Sequence, residues 1–283
     1  MLNGFMEKLV AGRWIAGPTV SDVMERGRRF NRIGIGAIMN YLGEALTSQE
    51  DIKDAMDSYR EILKRVEKGD KLTQISVKPT QIGLSVNLDM AKKNYAEIVR
   101  LAEEKDIFVW VDMEQSELVD STIELYMSQL PNKNTGLCMQ AYLRRTMDDV
   151  KKVTEKDGTI RLVKGAYTEP ENVAYKTKAE IDKNYIEIMQ YLFDNSPRFM
   201  IASHDDKIIE RAREINRERK KDVWYAMLNG IRNQYLVDLQ KKGETVFAYI
   251  PFGKKWVQYS FRRMQEAGHI SLLMRSMLHG QKI

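Results

Sequence analysis

The chain predicts an α/β protein folded as a closed (β/α)8 barrel, and three observations carry that expectation. Short apolar, strand-like segments alternate with amphipathic, helix-like ones along nearly the whole sequence, which argues for parallel βαβ units. Eight such units occupy about 250 residues, the usual extent of one barrel. No Gly-x-Gly-x-x-Gly follows any strand, which weakens the rival reading of a doubly wound open sheet.

In chain order, residues 1–32 read as an N-terminal segment of one or two helices, and 33–283 as the barrel. Apolar strands are expected at 36–42, 74–78, 107–112, 136–140, 160–164, 199–204, 223–228 and 246–250. Amphipathic helices fall between them at 49–68, 90–105, 117–130, 147–156, 173–193, 206–220 and 232–242. The eighth strand breaks at Pro251 and Gly253, and a last helix carrying Trp256 follows. No linker or low-complexity stretch divides the chain.

Composition narrows the class. With 43% hydrophobic and 30% charged residues the chain reads as globular, and no apolar run approaches the roughly 20 residues of a membrane span. Residues 1–32 are amphipathic and end in basic residues, unlike a secretory signal. A single cysteine, Cys138, excludes internal disulfides and thiolate metal clusters and fits a reducing, cytoplasmic compartment. Three histidines (His204, His269, His279) are too scattered for a metal site, so none is expected. The net charge of +5 is a mild excess whose basic clusters fall on helix faces, which argues against nucleic acid and leaves at most peripheral contact with the inner membrane face.

Polar residues at the strand ends carry the functional signal. The C-terminal ends of parallel barrel strands open on one face. There the sequence places Glu44, Lys78, Asp112 with Met113 and Glu114, Gln140, Arg161 with Val163, Lys164 and Gly165, Ser203 with His204, and Tyr249. Core strands have no reason to carry Lys78, Asp112, Gln140, Arg161, Lys164 and His204 inward unless they meet one another or a ligand. Taken singly each has a plain role: a lysine reaching solvent, a satisfied core histidine, packing methionines. On the last helix, Tyr259, Arg262, Arg263 and Glu266 share one face at three- or four-residue steps. Paired guanidiniums behind an aromatic ring form a fork suited to a small carboxylate, although a solvated charged face has the same pattern. The strand-end inventory is richer in cations than in carboxylates, which suits an anionic ligand. A Schiff-base lyase using Lys164 fits as an alternative, and so does a non-catalytic barrel that binds an amino acid. No protein group here can take a hydride, so a redox role needs an organic cofactor.

Eight motifs in order along the chain resemble those of the monofunctional proline dehydrogenases, FAD-dependent enzymes that oxidise L-proline. They are Tyr-Leu-Gly-Glu (41–44), Ser-Val-Lys-Pro-Thr-Gln-Ile-Gly (76–83), Val-Asp-Met-Glu (111–114), Met-Gln-Ala-Tyr-Leu-Arg-Arg-Thr (139–146), Arg-Leu-Val-Lys-Gly-Ala-Tyr-Thr-Glu-Pro (161–170), Ser-His-Asp (203–205), Met-Leu-Asn-Gly-Ile-Arg (227–232) and the stretch from Tyr249 to Glu266. The resemblance implies a distorted barrel with its last helix over the mouth. It implies oxidation to Δ1-pyrroline-5-carboxylate by hydride transfer to flavin N5, with electrons passed to a quinone or another acceptor and the product handed to a separate pyrroline-5-carboxylate dehydrogenase. By the same resemblance Asp112 and Arg161 are catalytic. Arg262 and Arg263 hold the proline carboxylate with Lys78, Tyr249 and Tyr259 wall the ring, and Glu44 is the gate. Met113, Gln140, Val163, Lys164, Gly165, Ser203, His204 and Glu266 line the FAD. Thr168, Ala226 and Asn229 depart from the family pattern, and Ser203 stands where threonine is common.

Overall fold

In the computed structural model, residues 14–254 are described. Within them eight parallel strands close into a barrel in sequence order, β8 pairing back to β1. The strands are β1 (Gly36–Tyr41), β2 (Thr73–Val77), β3 (Phe108–Val111), β4 (Thr135–Gln140), β5 (Thr159–Val163), β6 (Arg198–Ala202), β7 (Asp222–Leu228) and β8 (Thr245–Phe252). An α-helix, α1 (Val20–Asn31), precedes the first strand. The others connect the strands on the outside: α2 (Gln49–Arg65), α3 (Leu88–Glu103), α4 (Val119–Met127), α5 (Thr146–Thr154), α6 (Lys178–Asn195), α7 (Asp206–Arg219) and α8 (Asn233–Lys241). The expected barrel is thus present, and the Trp256 helix lies outside the described residues.

The differences from the expected elements have local causes. Helix α6 starts at Lys178, five residues later than the apolar pattern predicts, because Thr177 and Glu180 form a reciprocal cap at its N-terminus. Residues 173–175 are drawn to the loop after β4 instead: Arg144 N donates to Val173 O at 3.0 Å and Tyr175 N to Tyr142 O at 2.8 Å. Strand β8 continues through Pro251 to Phe252. Its pairing with β7 ends at Tyr249, so the donor that proline lacks has no ladder to complete on that side. The Pro251 carbonyl accepts there from Ala16 N at 2.9 Å.

Side-chain alternation decides what the barrel encloses. Ile38, Phe108, Trp110, Met200, Ala226 and Phe247 form an interior cluster, with Trp224 and Tyr249 packed on it. The rings pack tilted and edge-on as a tight group, Phe108 to Trp110 at 4.7 Å and to Trp224 at 5.2 Å. Two glycines make the room: a Cβ on Gly36 would lie 2.2 Å from the Phe247 ring, and one on Gly136 2.3 Å from Trp110. Because successive inward positions are two residues apart, the residues just beyond this aromatic plug are Ser76 and Lys78, Asp112, Cys138 and Gln140, Arg161 and Tyr249. The plug closes the barrel below and leaves a polar floor above it.

Gly136→Ala should therefore lower stability by about 1–3 kcal/mol, the usual range for overpacking a filled core. Urea unfolding measures this, and adding Trp110→Phe should recover part of the loss, since contacting residues couple.

Candidate active site

The floor is organised by one carboxylate. Asp112 leaves the end of β3 and is almost fully buried. Its Oδ1 accepts from Ser76 Oγ at 2.7 Å and from Arg161 Nη2, and its Oδ2 accepts from Tyr249 OH at 2.6 Å. Lys78 Nζ stands 3.5 Å from the same Oδ2. Four strands, β2, β3, β5 and β8, so meet at one group. Burial alone would raise the Asp112 pKa, but Lys78, Arg161, Tyr249 and Ser76 outweigh it and bring it to about 2.

Arg161 is packed against two aromatic rings. Its guanidinium carbon lies 5.1 Å from the Trp110 ring centre and 5.5 Å from that of Tyr249, and Nη2 also reaches Ser76 Oγ at 3.3 Å. Lys78 is buried as well, which disfavours its charge, yet the surrounding Asp112 and Glu114 carboxylates prevail and keep it protonated. Glu44 Oε1 lies 3.4 Å from Lys78 Nζ and accepts from Tyr167 OH at 3.4 Å. Glu114 accepts from the Thr80 amide at 3.0 Å and its hydroxyl at 2.7 Å, and burial pushes its carboxyl up.

Structure and expectation differ over the balance of charge. Among the described residues the buried floor sets the cations Lys78 and Arg161 against the carboxylates Asp112, Glu114 and Glu44, so it is not cation-rich. Lys164, counted among the inward cations, instead joins Asp182 and, at 2.8 Å, Asp205, with Lys178 closing a four-charge cluster at the ends of β5 and β6. Its ammonium is engaged by two carboxylates and is not presented as a free amine.

Several residues expected to line a cofactor sit together at the ends of β3 to β6. Gln140 Nε2 donates to Met113 O at 3.2 Å, while Gln140 Oε1 is buried without a partner. Arg161 Nη1, on the adjacent strand, is likewise buried without one; burial pushes the nearby Cys138 thiol up. A buried acceptor and a buried cationic donor on neighbouring strands suit a planar heterocycle carrying both kinds of polar edge, so these residues fit a flavin. Gly165, at φ +117°, lets the chain after Val163 and Lys164 pass against Tyr142, whose ring a Cβ there would meet at 2.1 Å. Ser203 Oγ accepts from Asp205 N at 3.1 Å, and His204 Nε2 accepts from Leu228 N at 3.3 Å. Tyr259, Arg262, Arg263 and Glu266 lie outside the described residues.

Reading the sequence missed Ser76, Trp110 and the roles of Thr80, Gln81 and Tyr167. The inward alternation Gln74, Ser76, Lys78 was a usable signal for Ser76. For Tyr167, set in the loop after a motif strand, no spacing rule pointed at Glu44.

The proline dehydrogenase family model matches residues 23–276. Proline dehydrogenase 2 of Bacillus subtilis (strain 168) is 28% identical over 270 residues, covering 94% of this chain and 89% of the relative. Proline dehydrogenase of Deinococcus radiodurans is 27% identical over 281 residues, covering 96% and 91%. Among solved structures, proline utilization A from Bdellovibrio bacteriovorus, inactivated by N-propargylglycine, superposes with a TM-score of 0.85 at 22% identity over 99% of this chain and 35% of that one. The Corynebacterium freiburgense protein of the same name gives 0.79 at 23% identity, over 98% and 33%. These two likenesses support the barrel fold, and the chain spans about a third of the length of those solved chains. With nine-tenths of its length matched and the strand-end motifs in register, the chain belongs to the proline dehydrogenase family.

Proposed function

We propose that this barrel binds FAD and L-proline at its C-terminal mouth and oxidises proline to Δ1-pyrroline-5-carboxylate. The observation that carries the reading is the convergence of Lys78, Asp112, Arg161 and Tyr249, from four strands, on one buried floor. FAD, when bound, accepts a hydride from the proline carbon next to the ring nitrogen. Gln140 and Arg161, with Met113, Val163, Lys164, Gly165, Ser203 and His204 around the rim, are the residues proposed to hold it, joined by Glu266.

The remaining chemistry belongs to the protein. Hydride loss requires the ring nitrogen to be unprotonated, and the cations Lys78 and Arg161 lower the pKa of an amine placed beside them. Asp112 is a poor base for that proton: a carboxyl held near 2 has little proton affinity at neutral pH. Its proposed role is to hold Arg161, Lys78 and the Tyr249 hydroxyl in place. Tyr249 stays a neutral phenol, because burial and the adjacent Asp112 push its pKa well up. It thus donates to Asp112 and offers its ring as a wall for the substrate, with Tyr259. Lys78, Arg262 and Arg263 take the proline carboxylate, and Glu44 gates the site. Fixing the ring in this way can supply several kcal/mol of rate acceleration.

Electrons pass on to a quinone or another acceptor, and the product to a separate pyrroline-5-carboxylate dehydrogenase; both partners follow from the family chemistry. We read residues 1–32 as a segment leading into a catalytic unit of 33–283, and propose that the protein works in the cytoplasm with at most peripheral membrane contact. Among the described residues no helix is long and apolar enough to cross a membrane. The lyase alternative finds no support, since Lys164 is committed to Asp182 and Asp205.

Protein loaded with FAD should be yellow and lose its visible absorbance when proline is added without oxygen; a spectrum unmoved by proline contradicts the proposal. A second expectation concerns stability. The Asp112 pKa is depressed in the fold, so its contribution is present above the unfolded value and lost as pH falls from about 4 to about 2. That loss should be on the order of 2–3 kcal/mol in the native protein and absent from Asp112→Asn. Chemical denaturation across this pH range, compared between the two proteins, checks it.

A further inference from the structure

We propose that Gln81 is a positioning residue for substrate binding. It fixes Glu44 opposite Lys78 without touching either charged group. The inference rests on the reading that proline binds at this mouth.

Residues Pro79–Gln81 form a single 3-10 turn directly after Lys78. Gln81 is fully buried, and its carboxamide spans two strand ends. Nε2 donates to the Tyr41 carbonyl and, at 2.7 Å, to the Gly43 carbonyl, the residue preceding Glu44. Oε1 accepts from the Lys78 amide at 3.2 Å and lies 2.9 Å from Tyr59 OH, a hydroxyl that also faces Ser76 O at 2.7 Å. The amide orientation is dictated by its surroundings. Reversed, its oxygen would face two carbonyls and its NH2 a backbone N–H. Both protons and the oxygen are in use, so no polar capacity is left for a ligand.

The same turn grips the other side of Glu44. Thr80 Oγ1 accepts from Ala45 N at 2.9 Å, and Thr80 O from Leu46 N at 3.2 Å. Ala45 sits at φ +52°, a left-handed conformation that an alanine adopts only when its neighbours impose it. Thr80 is braced in turn by Glu114. Glu44 is therefore clamped at both flanking residues by two successive residues of one turn, and the residue before that turn is Lys78, whose Nζ stands 3.4 Å from Glu44 Oε1. A bond network this complete around a left-handed alanine, linking the substrate-binding lysine to the gate carboxylate, sets a distance. Packing a loop would not require it.

The test is a double-mutant cycle on proline kinetics and flavin absorbance. Gln81→Met keeps side-chain length and volume and removes every polar contact. In the native background it should raise KM for proline by about tenfold, within what an ångström-scale displacement costs, with kcat within about twofold and flavin absorbance unchanged. In a Glu44→Gln background the same change should raise KM less than about threefold, because the pair it serves is already broken. An equal factor in both backgrounds, or an unmoved KM in the native one, would overturn the inference, since a residue that merely supports the fold adds independently. Should Gln81→Met not fold, Thr80→Val removes the hydroxyl that holds Ala45 and is read through the same cycle with the same two outcomes. Native protein inert toward proline would sink the underlying reading instead, whereas active native protein beside an unaffected Gln81→Met sinks this inference alone.

Discussion

A carboxylate taken out of water is expensive unless its oxygens are met by cations and donors, and the mouth of this barrel is built around one that is. Asp112 receives Ser76, Arg161 and Tyr249 and faces Lys78. Its partners come from three further strands, so the interaction can form only after β2, β3, β5 and β8 have closed into one barrel. Remove the carboxylate and, among the described residues, Arg161 loses its ion-pair partner while Lys78 keeps only Glu44 within 4 Å. The barrel's closure and the site's electrostatics are thus one constraint.

Alternation along the strands separates that constraint from the apolar interior. Phe108, Trp110, Trp224 and Phe247 fill the space beneath the floor, and the absence of side chains at Gly36 and Gly136 gives their rings room. Trp110 belongs to both layers, packing against Phe108 below and under the Arg161 guanidinium above. The dry plug lowers the local dielectric, which strengthens the ion pairs it supports and raises the penalty for leaving any of them incomplete.

Much of this arrangement is legible in the sequence. Eight apolar runs with polar last residues are the signature of a barrel with one functional face. Lys78, Asp112, Arg161 and Tyr249 stood out because a polar or charged group that ends an apolar strand has to meet a partner or a ligand. Ser76 escaped because a serine inside a strand looks like any small core residue until its partner is known. Gln81 and Thr80 escaped because their work is done on backbone groups 35 to 40 positions away, and no local pattern encodes such a bond. Lys164 was read as facing inward, but its position at the strand's tip let it swing to Asp182 and Asp205. Helix α6 began late because a cap outweighs an apolar periodicity that continues past it.

Polar atoms without partners complete the picture. Gln140 Oε1 and Arg161 Nη1 are both buried and unsatisfied on adjacent strands, an arrangement that a fold retains when a ligand supplies what is missing. A crystal structure of the FAD-loaded protein with a proline analogue that resists oxidation tests this most directly. The flavin ring should lie against Gln140 and Arg161, with the analogue between it, Tyr249 and Lys78. A flavin or analogue seated away from Asp112 and its partners would contradict the proposed site.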